Sequence, residues 1–331
     1  VRGPRGAALL IAFALLAGCT RQAALATAGT PPRAGRFGSL RDFVLIDRGR
    51  AAPLFVDRFE VTRGDWAEFA ATPAGRSIGA QDAIDDGDTA LPVGHVDLRQ
   101  ARAFARWRFA RLPRQEEWAA AVGDGRHQFP WGSKEDPTRA NTGELGLGEP
   151  VPVGTFEAGR RAGGNQPYDL IGNVSEWTES VSFGWTASLL DPMASCMVGR
   201  ERMLHTPAFA VWGWPGGLVP LVTAAAAGEL RVPRDAVGSD FQSPMAATLE
   251  SVLAGDRRVR LGLRLYTTPR ELLTALLASD TRPRAEDLDQ VRRFVRRGPH
   301  RAALAAAWLA VAPPGPTDAP LYRLLRAELG P

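Results

Sequence analysis

The chain has 331 residues, 45% of them apolar, and its 40 basic against 36 acidic residues leave a formal charge of +4. That is enough length and apolar content for one large domain with a smaller one beside it. Acidic and basic residues alternate, Lys134 is the only lysine, and no basic tract is interleaved with aromatics, so no nucleic-acid partner is expected.

Arg2 and Arg5 precede an apolar stretch from Ala7 to Ala17, which ends in Leu16-Ala17-Gly18-Cys19. The stretch is too short to span a bilayer, and polar, Pro-containing sequence follows it. Leu-Ala-Gly-Cys resembles the box cut by bacterial lipoprotein signal peptidase. The expectation is a signal peptide over 1–18, lipid attachment at Cys19, and a flexible tether over 19–40 rich in Ala, Gly, Thr and Pro. The membrane would then be a partner through the anchor, with the protein held at the bacterial cell envelope, facing the periplasm or exterior. Once Cys19 carries lipid, Cys196 is the remaining thiol, which leaves no pair for an internal disulfide.

From Leu54 the pattern becomes that of a folded domain. Alternating Phe55, Asp57, Phe59 and Val61 have the period of a half-buried strand. Thr62 followed by Asp65 predicts a capped helix start, with Trp66 and Phe69 on its buried face. Asp97 is a natural cap for a helix through Ala101, Phe104 and Arg108. Pro113 opens another, with Glu116 and Glu117 near its positive end and Gly123 to close it.

The stretch from Gly163 to Thr178 contains Tyr168-Asp169-Leu170-Ile171-Gly172-Asn173-Val174-Ser175-Glu176-Trp177. Gly172 and Asn173 tolerate left-handed backbone, which predicts a tight turn there. On spacing alone, this is a turn followed by a buried Trp177. The same turn also aims the Asn173 carboxamide, local carbonyls and the Glu176 carboxylate at one point, an oxygen set suited to a hard cation such as calcium.

These segments together resemble the formylglycine-generating enzyme, or sulfatase-modifying factor, family. The resemblance takes in Leu91 to Asp97, Arg111 to Ala119, Phe129 to Gly132, Ala140 to Thr142, Pro152 to Phe156 and Arg260 to Leu265, in the family's order. It implies an α+β formylglycine-generating-enzyme fold, C-type-lectin-like with much irregular structure, over 41–268. It also implies structural calcium at Asn173, Val174 and Glu176, with a second candidate at Asn141 and Thr142.

Catalysis is another matter. Active relatives bind copper through two cysteines, and sulfoxide synthases on this fold bind iron through three histidines. A soft thiolate pair suits Cu(I), and imidazoles suit iron. Here the segment after Trp177 offers Cys196 and His205, Cys196 standing before the place of the catalytic pair rather than after it. Neither copper nor iron is expected, and Cys196 is a weak catalytic candidate. The reading is therefore a non-catalytic binding or structural module for an unidentified protein or peptide partner. An oxidoreductase acting on thiols with a rebuilt metal site is the alternative, and a regulator attached to an envelope system a third. Trp212 and Trp214, in a Gly/Pro-punctuated apolar stretch, either belong to the core or line a binding surface.

Beyond Pro269, periodicity predicts four helices as a C-terminal extension over 269–331: from Pro269, over 286–297, over 302–311 and over 321–329. The pairs Arg292-Arg293 and Arg296-Arg297 read as a solvated face, or as a surface for anionic lipid headgroups.

Overall fold

A computed structural model describes residues 35–84, 87–123, 129–134, 136–142, 145–163, 165–181, 208–212, 222–225, 228–231, 250–253, 261–279, 282–311 and 318–330. Cys19, Cys196, His127, His205 and Trp214 lie outside them.

Two antiparallel strands, β1 (Phe43–Arg48) and β2 (Ala51–Asp57), pair from Phe43 opposite Asp57 to Arg48 opposite Ala51. A two-residue strand, β9 (Tyr266–Thr267), completes this sheet in the order β1-β2-β9. Leu54, Phe55, Val56 and Asp57 are all buried, so both faces of β2 are covered. The expected strand through Val61 is shorter than its alternation implied. It stops at Asp57, because Arg58 and Phe59 leave the sheet and the Asp57 amide bonds the Leu265 carbonyl instead.

Helix α1 (Arg63–Ala70) begins as expected. Thr62 Oγ1 accepts from the Asp65 amide, Asp65 accepts from the Thr62 amide, and Trp66 and Phe69 are buried. Helix α2 (Leu98–Trp107) has the same device, with Asp97 as cap and Gln100 closing the box. Helix α3 (Gln115–Val122) starts without a Thr cap, and Glu117 compensates by accepting from the Arg114 amide at 2.9 Å.

The second sheet carries the distinctive motif. Strand β3 (Ser175–Val181) lies between β4 (Ala208–Trp212), antiparallel to it, and β8 (Leu261–Gly262), parallel to it. The full order is β6-β5-β7-β4-β3-β8, where β5 is Val222–Ala225, β6 Gly228–Arg231 and β7 Glu250–Leu253. The closing strand expected over 260–265 is thus two residues long, after which the chain crosses to the first sheet.

All four expected C-terminal helices are present: α4 (Pro269–Leu277), α5 (Ala285–Val295), α6 (Gly298–Trp308) and α7 (Pro320–Leu329). They share one apolar core with the sheets. The Phe55 ring lies 5.2 Å from Phe294 of α5 and 5.0 Å from His300 of α6. The expected tether is also corrected at its end. Residues 35–42 are helical, and Phe37, Ser39 and Leu40 are buried, packed with the helices rather than solvated. No described helix is long and apolar enough to cross a membrane.

Candidate functional site

The motif leading into β3 is held by backbone that few residues tolerate. Asp169, Gly172 and Asn173 all have positive φ, at 50°, 82° and 58°. At Gly172 a Cβ would stand 2.6 Å from the Asn141 carbonyl oxygen, so glycine is required by space as well as by conformation.

This geometry turns the Asn173 side chain inward. Its Oδ1 accepts from Asn141 Nδ2 at 3.1 Å and from the Val151 amide at 2.9 Å. Its Nδ2 donates to Glu60 Oε2 at 2.6 Å and to the Val151 carbonyl at 3.2 Å. Glu60 Oε1 in turn accepts from the Val174 amide at 3.1 Å. One carboxamide therefore ties together the chain at 60, 141, 151 and 173. Asn141 also donates to the Glu149 carbonyl, and the Thr142 amide bonds the Ala140 carbonyl.

Glu176 takes a different partner. Arg264 Nε donates to its Oε1 at 2.8 Å, and neither side chain reaches solvent. The other guanidinium nitrogens donate to the Asp57, Arg58 and Asp169 carbonyls, each at 3.2 Å. Arg264 is a staple across three segments. A second buried guanidinium, Arg108, approaches Asp57 at 3.4 Å and Asp65 at 3.9 Å.

Glu60, Asp169 and Glu176 are buried together around the Arg264 guanidinium. Burial is the largest influence on their protonation. Burial pushes Glu60 well above the usual carboxylate range, with Asp169 adding to the shift and Arg264 opposing it. Burial likewise raises Asp169 to about 6, against the Gly154 amide and Arg264. Burial also raises Glu176, although Arg264 pulls it down.

The groups expected to hold calcium have these partners inside the fold: Arg264 lies on Glu176 Oε1, Asn173 Oδ1 accepts two N–H donors, and the Val174 amide, not the carbonyl expected as a ligand, donates to Glu60. Asn141, expected in a separate site, joins Asn173 in the same hydrogen-bonded unit. Among the described residues no three His, Cys, Asp or Glu side chains are grouped to hold a metal ion. His95, described and at positive φ, belongs to no such group. Trp212 lies on β4 opposite Glu176 in the strand register.

Sequence reasoning missed Glu60, Asp169 and Arg264 as members of this network. Asp169 stands within the motif without a role read for it, Glu60 is not singled out, and no local signal links Arg264 to Glu176.

The geometry is that of an α+β domain whose most distinctive motif is locked into its own core. Residues 45–204 match the model of the sulfatase-modifying factor enzyme 1-like domain, and the chain carries a domain of this formylglycine-generating enzyme family. Over 132 residues it is 36% identical to inactive C-alpha-formylglycine-generating enzyme 2 of Bos taurus, covering 36% of this chain and 40% of that one. Hercynine oxygenase of Mycobacterium tuberculosis is 38% identical over 108 residues, covering 31% of this chain and 25% of its own length. Formylglycine-generating enzyme of Mus musculus is 34% identical over 110 residues, or 29% and 28% of the two chains. The chain therefore spans well under half the length of these relatives.

Proposed function

We propose that this chain is a non-catalytic member of the family, serving as a binding or structural module attached to a membrane through lipid on Cys19. The observation that carries the reading is the fate of the motif's polar groups. Asn173 and Glu176 Oε1 are engaged by Asn141, Val151, Glu60 and Arg264, all within the fold. Groups engaged in this way stabilise the scaffold and are not presented to a substrate. The sequence adds a second support, since Cys196 is its one cysteine besides Cys19 and a two-thiolate copper site needs a pair. Similarity to an inactive relative points in the same direction.

Oxygen uptake with a cysteine-containing peptide, measured with and without added copper, tests the reading. No turnover is expected, and Cys196→Ala is expected to change nothing. Copper-dependent uptake that vanishes in Cys196→Ala would establish an enzyme instead.

The alternative, a metal-dependent oxidoreductase acting on sulfur, draws on the similarity to hercynine oxygenase. Iron retained through purification, together with oxygen uptake on a thiol substrate, would favour it.

A further inference from the structure

Three arginines from distant parts of the sequence gather where the β1–β2 sheet meets the junction of α5 and α6. Arg58 follows β2, and its amide bonds the Asp42 carbonyl at 3.0 Å, which sets it beside Arg41 and Asp42. Arg297, between α5 and α6, donates from Nη1 to the Arg41 carbonyl at 2.5 Å. All three are half-buried, while Asp42 is buried. Arg41 Nε is 3.5 Å from Asp42 Oδ2, so the single carboxylate in the group already has one cation beside it.

Among the described residues, Arg58 and Arg297 have no carboxylate within ion-pair distance. Arg58 reaches the Asn165 carboxamide oxygen with Nη2, and its buried Nε has no partner. Burial pushes the Arg297 guanidinium below its usual range, with Arg58 and Arg41 adding to the shift and Asp42 opposing it. Gathering like charges in a partly desolvated corner is unfavourable unless something neutralises them. Guanidinium forks present N–H donors in the plane that best matches tetrahedral oxyanions and carboxylates.

We propose that Arg58 and Arg297, supported by Arg41, form a binding site for a phosphate-type oxyanion. The dianion would accept from the terminal guanidinium N–H groups of Arg58 and Arg297 that their bonds to Asn165 and the Arg41 carbonyl leave over. Free phosphate and the phosphate of an anionic lipid headgroup share this chemistry. The site uses none of the side chains bonded to Asn173 or Glu176 and needs no catalytic activity from the domain.

Calorimetric titration of the purified chain with inorganic phosphate, against chloride at matched ionic strength, tests the site. One saturable site is expected. Arg58→Gln and Arg297→Gln should each weaken it by ~10-fold or more, as loss of a charge-assisted hydrogen bond implies. Arg293→Gln, at an exposed arginine nearby on α5, should leave it unchanged. Should Arg297→Gln fail to fold because its bond to the Arg41 carbonyl is lost, Arg58→Gln carries the test alone. Absence of saturable binding in the unmodified chain, or equal weakening by Arg293→Gln, overturns the proposal.

A second arm identifies the source of the anion, using Cys19→Ser protein so that no lipid anchor contributes. Co-sedimentation with phosphatidylglycerol vesicles but not phosphatidylcholine vesicles, competed by phosphate and lost in Arg58→Gln, assigns a lipid headgroup. Phosphate binding without vesicle binding assigns a soluble anion. Either result supports the site.

Discussion

Arg264 and Glu176 form an ion pair at 2.8 Å in which both side chains are shut off from water. Arg264 comes from the link between the two sheets and Glu176 from β3, the strand that follows the motif's turn, so the pair fastens one to the other. A buried pair is not by itself a large source of stability, because both charges lose their hydration. Breaking it is costly all the same.

Arg264→Met strands Glu176 among other buried carboxylates and frees three backbone carbonyls. Urea denaturation should show a loss of about 3–5 kcal/mol, or no folded protein at all. Glu176→Gln keeps an acceptor for Arg264 and is expected to cost less. Equal, small losses in both variants would mean that the pair is not closed in solution.

Asn173 is the hub of four hydrogen bonds at a left-handed backbone position. Asn173→Ala leaves Glu60 and Val151 without their partner and places alanine at positive φ. A loss of about 2–4 kcal/mol is expected from unsatisfied buried groups and backbone strain. Asn173→Asp should be worse, since it sets another carboxylate against Glu60. Thermal melting of the two variants ranks them directly.

Asp169 gives stability a definite pH dependence. Its carboxyl sits at about 6 in the folded protein, above the ~3.9 of an unfolded chain. The folded state therefore holds the proton more tightly. This contribution is complete below ~3.9 and is lost as pH rises through about 6. Asp169→Asn can still accept from the Gly154 amide but does not titrate. Its melting temperature relative to the parent should climb between pH 4 and 7, whereas a constant difference would show that Asp169 is not shifted.

His300 acts with the opposite sign. Burial against Phe55 and Phe294, helped by Arg297, pushes it down to about 4. Its contribution is present above ~6.5, the unfolded value, and disappears as pH falls through about 4. His300→Phe keeps a ring in the same cluster and should flatten the acid side of the stability profile over that range. Melting curves from pH 4 to 7 would reveal an unflattened profile if the ring were charged and solvated.

Removal of Cys19 tests the proposed attachment. Cys19→Ala should leave the signal uncleaved or release the protein from the membrane fraction. Retention with a cleaved, unlipidated N-terminus would rule out lipid at that residue.

Local chemistry was legible where it is decided locally. Thr62 with Asp65 and Asp97 with Gln100 fix helix starts through contacts three residues apart, and both boxes are formed. The turn at Gly172 and Asn173 and the burial of Trp177 could be read for the same reason. What the turn does with its polar groups could not. Spacing brings Asn173 and Glu176 near each other, but their partners lie 113 and 88 residues away, at Glu60 and Arg264. Alternation extended β2 to Val61 because periodicity does not register where a chain leaves its sheet. Residues 35–40 read as tether from their small and polar neighbours, although Phe37 and Leu40 were the two apolar clues to burial.

The union of the C-terminal helices with the sheets separates the homologous interval from the folding unit. The family match ends at 204, yet Arg264, the third strand of the first sheet, Phe294 and His300 all follow it. A fragment cut to that interval would bare Phe55 and leave Glu176 charged with nothing opposite. The matched interval and the folding unit have different borders here: residues 45–204 depend on core and ion-pair partners that the chain supplies beyond residue 260.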